Sequence, residues 1–216
     1  MQKIMLIGGG GHCRAVIDTL KLNNEYEIIG IFDKAENIGG DIYGVPFVAE
    51  DSDVSRYYDS GIKLCFICVG SVGDPRKRIM LYENMKKAGF KMPNIMHPSA
   101  VVSPYVKFGE GNYVGPGAII NAGTSVGDNC IINTGAILDH DCLIGDNVHI
   151  ATGAVLSGGV KVRENSHIGS GASVIQYAVI GDNTLIGSGS NVVCDIEPRV
   201  VAYGNPCKKA RENVYA

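Results

Sequence analysis

No sign of charge dominates this 216-residue chain: 19 Lys and Arg stand against 22 Asp and Glu, and the net charge is −3. A near-balanced surface has no general attraction for nucleic acid or an anionic membrane. Long hydrophobic runs are missing as well. No apolar stretch approaches the roughly 18 residues of a membrane span, and the N-terminus lacks a basic region leading into a long apolar one. The expectation is a cytoplasmic protein without a membrane span. A disulfide framework is also lacking, because the seven cysteines are odd in number and scattered. Cys65 and Cys68 have CxxC spacing, but they lie inside the apolar run Leu64 to Val69, which suits packing better than redox or metal chemistry.

What the chain does have is a period of six. From Val102, through Phe108, Val114, Ile120 and onward to Val192, sixteen aliphatic or aromatic residues recur every six positions without an insertion. Two places before each, small or β-branched residues dominate, as at Ala118, Cys130, Ala136 and Ala154, with Asn112 the main exception. Gly or Asn often follows the aliphatic residue. Neither a helix nor an alternating strand repeats every six residues, whereas a hexapeptide β-helix does. The aliphatic residue fills the axis, the small one lets the wall close over it, and Gly or Asn tolerates the corner conformation. Three hexads make one coil, so residues 18 apart stack. That places Gly158 over His140, His167 over His149 and Ser188 over Ser170.

The segment before the repeat reads differently. Lys3 to Ile7 is a buried strand running into Gly8-Gly9-Gly10-Gly11-His12, then an amphipathic helix from about Cys13 to Leu22, then a strand Tyr26 to Phe32 ending at Asp33. This is the βαβ pattern of a nucleotide-binding unit: glycines let backbone N–H groups approach a diphosphate, and the acid can hold a ribose hydroxyl. The fingerprint is imperfect, since Cys13 stands where Gly or Ala is usual, and a tight turn without a ligand is the alternative. Ile38 to Glu50 reads as a turn-rich connection, Lys63 to Gly70 as a third strand. Asp74-Pro75 starts a helix that Gly89 stops. The basic run Arg76-Lys77-Arg78 reads as a solvated face. The expected division is a Rossmann-like α/β domain over 1–95 and an all-β parallel β-helix over 96–216 with a short charged tail. About 95 residues is too short for both halves of a dinucleotide domain, which favours a nucleotide sugar over a dehydrogenase cofactor.

Polar clusters stand out against a wall of small neutral residues. The main one is Asp139-His140-Asp141, followed by His149 and His167. A histidine beside a carboxylate has the makings of a general base, provided a corner brings the two side chains together. An exposed turn without a role is the alternative. Three histidines on a β-helix also raise a zinc site, but the closely spaced ligand pair of such sites is missing, and no metal is expected.

Together, the Gly-rich turn with His12, the hexads, Leu138-Asp139-His140-Asp141-Cys142-Leu143-Ile144-Gly145 and the Gly204-Asn205-Pro206 tail resemble the hexapeptide-repeat sugar acetyltransferases. Within them the pattern resembles the nucleotide-sugar N-acetyltransferases of bacillosamine-type pathways and the sialic acid O-acetyltransferases. The resemblance implies a left-handed β-helix and a homotrimer with active sites between subunits. Acetyl-CoA is then the co-substrate, lying between two β-helices, and the nucleotide sugar sits on an N-terminal domain. His140 matches the family's general base and Asp141 its supporting carboxylate, usually Glu. His149 matches a histidine near the thioester, and Gly158 a backbone N–H for the oxyanion. Gly10, Gly11 and His12 match the turn on the nucleotide sugar, and Asp33 the acid that holds the nucleoside. Lys34 stands where some relatives carry a second acid. Ser170 and Ser188 match backbone contacts to acetyl-CoA. The expected activity is direct acetyl transfer to the amine of a UDP-type 4-amino-deoxy sugar. O-acetylation of sialic acid, a zinc hydratase and a non-catalytic sugar-nucleotide-binding trimer are the alternatives.

Overall fold

A computed structural model of the protein describes residues 1–50 and 53–215. Strand β1 (Gln2–Ile7) buries its last four residues and leads into helix α1 (Gly11–Asn23). The helix packs Cys13, Val16, Ile17 and Leu20 on the sheet, the i, i+3, i+4, i+7 spacing of one face. Asn24, in the left-handed conformation, ends it and donates its N–H to the Leu20 carbonyl. Strand β2 (Tyr26–Phe32) runs parallel to β1.

Ile38 to Glu50 is more than the expected connection. It holds a hairpin, β3 (Asp41–Ile42) and β4 (Val45–Ala49), turning through Tyr43 and Gly44, both at positive φ. The second arm adds a strand parallel to β2. With β5 (Leu64–Ile67) the sheet has the order β3-β4-β2-β1-β5, parallel except for the hairpin. This is a Rossmann-like half, with its crevice at the carboxyl ends of β1 and β2.

After α2 (Val54–Asp59) and β5 comes α3 (Arg76–Lys87). Pro75 already has helical dihedrals, and the Asp74 carboxylate accepts the Arg76 N–H at 3.1 Å. Gly89, at φ +90°, closes the helix as expected: its N–H goes to the Lys86 carbonyl and that of Phe90 to Met85. The basic run needs correcting. Arg78 is only 1 % exposed, because it shares a helix face with Leu81 and Met85. Its Nη1 donates to the Ile67 and Val69 carbonyls at 2.7 and 2.8 Å, and its Nε to Asn129 at 3.2 Å. Burial pulls its pKa down to about 10. The residue therefore ties the end of β5 to the repeat.

Strand β6 (Ile95–Met96) opens the coil, and two-residue strands then recur every six residues from Val101–Val102 to Asn191–Val192. They form three parallel sheets in which partners are 18 residues apart, such as Ile119 with Ile137 and His149 with His167. The periodic aliphatic residues line one continuous core with the small residues between them. Cys130 and Cys142 fill the small inward slot, and Cys65 and Cys68 are buried thiols. At one corner Asn129, Asn147, Asn165 and Asn183 all take positive φ. Their amides link in a ladder at 2.8, 3.0 and 3.3 Å.

Helix α1 and the segment after β5 pack on one face of the coil, the face carrying Tyr113, Ile131, His149, His167 and Leu185. Tyr113 and Ile131 join the core beneath α1, and Tyr113 Oη lies 3.2 Å from Thr19 Oγ1. The C-terminal segment, expected as a charged tail, forms a further hairpin instead. Val200–Gly204 pairs with Leu185–Ile186, and Cys207–Glu212 folds back on it antiparallel. Val200, Ala202 and Cys207 point into the coil core and so anchor an otherwise charged segment. Ala216 lies outside the described residues.

Candidate active site

Leu138 is locked in the coil core, so Asp139 to Asp141 must turn the next corner. Asp141 does so at φ +58°. That corner makes the two neighbouring side chains converge: His140 Nδ1 lies 2.9 Å from Asp141 Oδ2. Asp139 stays within the turn, accepting the His140 N–H at 2.8 Å and the Asn121 amide at 2.9 Å. Two glycines make room. A Cβ at Gly123 would lie 2.2 Å from Asp141 Oδ1, and a Cβ at Gly158 2.5 Å from His140 Nε2. The predicted stacking of Gly158 on His140 is therefore physical contact. With Nδ1–H given to the carboxylate, the Nε2 lone pair is the free basic position. The Asp141 hydrogen bond, then the Asp139 charge, raise the His140 pKa above its ordinary value. The side chain is 55 % exposed. Beside it, the Gly158 N–H has no intramolecular partner among the described residues.

The other histidines sit elsewhere, on the docked face. His149 is 5 % exposed, with both ring nitrogens engaged. Nδ1–H donates to the Ser71 carbonyl at 3.1 Å, and Nε2 accepts from Asn133 Nδ2 at 3.2 Å. Burial, then the His167 ring 4.7 Å away, hold its pKa down to about 3. His12, at the start of α1, packs edge-on against Tyr113 at 4.9 Å, and burial holds its pKa well below the ordinary range. Its Nε2 is buried without a partner among the described residues. His12, Asn133 and His149 line a cavity of about 520 Å³ with Gly11, Ala15, Gly70, Val72 and Ile131.

Gly70 also borders a second hollow of about 320 Å³ at the carboxyl ends of β1 and β2. Gly8 and Gly9 are needed for packing: a Cβ would lie 2.4 Å from Val69 and 2.2 Å from Phe47, respectively. Gly10 and Gly11 have open space where a Cβ would be. They leave the N-terminus of α1 bare, as an approaching phosphate requires. Asp33 Oδ2 accepts the Gly9 N–H at 2.8 Å and the Asn37 amide at 3.3 Å, which fixes the carboxylate at the mouth. Lys34 turns to Glu36 at 3.6 Å. Asn37 and Lys77 line the same hollow. Sequence reasoning missed these two, along with Ser71 and Asn133. The basic run held a signal for Lys77; the others depend on tertiary packing.

Ser170 and Ser188 stack at the corner after the docked face, both exposed. The structure thus brings together His140, Asp141 and Gly158 at one corner, and His12 and His149 around a cavity on another face. In a three-sided coil the corner between the two other faces lies opposite the docked one, so His140 and His149 of one chain do not share a site. Among the described residues, no group of three or more His, Cys, Asp or Glu side chains is placed to hold a metal, and no helix is long and apolar enough to cross a membrane.

The PglD N-terminal domain matches residues 3–85, and bacterial transferase hexapeptide repeats match 123–158 and 141–176. PerB from Caulobacter crescentus, solved with CoA and GDP-perosamine, is 39% identical over 97% of this chain and 98% of that one, with a TM-score of 0.90. The acetyltransferase domain of PglB from Neisseria gonorrhoeae, solved with acetyl coenzyme A, is 34% identical over 97% and 99%, at 0.89. Two further structures of the Caulobacter enzyme carry one histidine replaced by asparagine or alanine, with CoA and GDP-perosamine bound in both. An uncharacterized protein of Acanthamoeba polyphaga mimivirus is 36% identical over 112 residues, which are 51% of this chain; the chain spans 21% of that protein's length.

Proposed function

The chain belongs to the hexapeptide-repeat sugar acetyltransferases with a PglD-type N-terminal domain and a left-handed β-helix, and from that membership we propose how it acts. It transfers the acetyl group of acetyl-CoA to the amine of a nucleotide-activated amino sugar. The observation that carries the chemistry is the His140–Asp141 pair, braced over Gly158 with Nε2 free.

His140 Nε2 takes a proton from the sugar amine as the amine nitrogen bonds to the thioester carbonyl carbon. Asp141 holds Nδ1–H and stabilises the imidazolium that forms. The Gly158 N–H, without a partner of its own among the described residues, meets the carbonyl oxygen as negative charge develops there. When the C–S bond breaks, the imidazolium returns its proton to the departing thiolate, so no acetyl group passes through the protein. General-base help of this kind is typically worth about 10²–10⁴ in rate.

Residues 1–95 act as the nucleotide-sugar unit and residues 96–216 as the acetyl-transfer unit. Gly10 and Gly11 take the diphosphate, Asp33 the nucleoside, and the cavity at His12, Asn133 and His149 the sugar and the thioester end. Ser170 and Ser188 follow the cofactor along the coil. Since His140 lies opposite that cavity in its own chain, the working site needs a second copy, and a homotrimer supplies three such seams. Holding both substrates across a seam provides the proximity contribution to the rate.

The expected UDP-type acceptor and the GDP-perosamine of the Caulobacter relative share the same diphosphate and amine chemistry. Acetyl-CoA consumption against UDP-, GDP- and dTDP-linked amino sugars, with free sialic acid as the hydroxyl acceptor, separates them. Turnover is expected with one of the nucleotide amino sugars. Turnover confined to sialic acid would overturn the amine assignment.

A further inference from the structure

The edge that carries His140 holds an aromatic residue that the mechanism above leaves unused. Tyr177 stands at the corner two coils beyond Asp141, at φ +62°. The same corner position one, two and three coils back is Gly159, Asp141 and Gly123. A bulky aromatic residue in the left-handed region is an outlier that surrounding structure must hold in place. Here its N–H donates to the Gly158 carbonyl at 3.0 Å, and its ring folds back one coil over Gly159. A Cβ at Gly159 would lie 2.5 Å from Tyr177 Cδ1. The two adjacent glycines therefore make two shelves, Gly158 under the His140 imidazole and Gly159 under the Tyr177 ring. The ring is nevertheless exposed, at 71 %.

Its surroundings change character along the coil axis. The neighbouring column reads Asn121, Asp139, Ser157 and then Ile175, Val193. The last two are exposed apolar side chains. Polar wall thus gives way to an apolar strip at the level of Tyr177. With strands about 4.8 Å apart, that level is roughly 10 Å beyond Asp141, toward the C-terminal coils. Ser170 and Ser188 bracket the same level on the neighbouring corner.

Resting on the acetyltransferase reading, we propose that Tyr177 is an acetyl-CoA contact. Its ring, with Ile175 and Val193, forms the apolar wall on which the pantetheine arm lies after the thioester has been presented to His140. The level favours the cofactor over the sugar, because the sugar enters from the docked domain beside the His149 coil.

Tyr177→Gly separates the ring from the turn, since glycine suits the positive φ. Titration calorimetry with CoA, on the intact protein and on Tyr177→Gly and Tyr177→Phe, is the test. Tyr177→Gly is expected to bind CoA roughly 3- to 10-fold more weakly. Its Tm should be at or above that of the wild type, with the oligomeric mass unchanged. Tyr177→Phe should bind as the wild type does. Equal CoA affinity in Tyr177→Gly overturns the proposal. So does loss of the oligomer in that variant, which would assign the ring to the contact between copies. Failure of the unaltered protein to bind CoA would instead sink the acetyltransferase reading, and this proposal with it.

Discussion

Replacing Gly158 by Ala should inactivate the protein without loosening it. A Cβ at this position would lie 2.5 Å from His140 Nε2, 2.6 Å from Cε1 and 3.1 Å from Cδ2, and these are its three nearest neighbours. Going from 2.5 Å to the 3.4 Å of ordinary contact, the imidazole has to give by about 0.9 Å. It can do so, because the side chain is half-exposed. Gly158 is also not among the glycines held at positive φ, so Ala brings no backbone strain. The usual gain from a stiffer unfolded chain, about 0.4–1 kcal/mol, then applies. Misplacing a catalytic group by about 1 Å can cost on the order of 10²-fold in rate. Expected, therefore, are a Tm at or slightly above that of the wild type and a kcat roughly 10²-fold lower, read at saturating acetyl-CoA and acceptor. On a His140→Ala background the same change should cost nothing further. A Gly158→Ala protein with kcat within about twofold of the wild type would refute the claim that the ring works from its shelf. A destabilisation well above 1 kcal/mol would refute the claim that only the imidazole stands in the way.

Three other outcomes follow from the structure. Since the Asp141 hydrogen bond is the largest cause of the raised His140 pKa, Asp141→Asn should lower it. The base works only when neutral, so the acid limb of the pH–rate profile moves to lower pH and the plateau falls; an unmoved limb would contradict the pairing. Arg78→Met strands the Ile67, Val69 and Asn129 carbonyls, and at about 1–3 kcal/mol each it should cost at least roughly 3 kcal/mol in urea unfolding. A loss below about 1 kcal/mol would show that the guanidinium is dispensable. The buried histidines should weaken the fold in acid. For His149 the folded pKa of about 3 lies below the unfolded 6.5, so its stabilisation is complete above pH 6.5 and is lost as pH falls toward 3. At pH 5 that loss is about 2 kcal/mol, with His12 and His167 acting in the same direction. Stability unchanged between pH 7 and pH 5 would exclude neutral burial of these rings.

The coil was legible because one physical requirement, an aliphatic residue on the axis of each short strand, recurs every six residues. The 18-residue ruler alone stacks Gly158 on His140, and the two are in contact. The need for a corner at Asp141 was legible too, since neighbouring side chains on a strand diverge. Other features were hidden. The glycines of Ile38 to Glu50 signalled turns and masked β4, whose only strand evidence is the short run Val45 to Ala49. Arg78 reads as solvated in any local window, and only its face-sharing with Leu81 and Met85 buries it. The hairpin Val200 to Glu212 has a charged outer arm anchored by a single inward Cys207. The grip of Ser71 and Asn133 on His149 joins positions 78 and 16 residues away, and no motif spans them.

The most direct test of the account is the steady-state release of CoA by His140→Ala against the wild type, with a nucleotide amino sugar as acceptor. The expected result is a fall in kcat of about 10²–10⁴ with CoA affinity and oligomeric mass unchanged. Turnover near the wild-type level in a protein lacking that imidazole would contradict the central claim that His140 is the base.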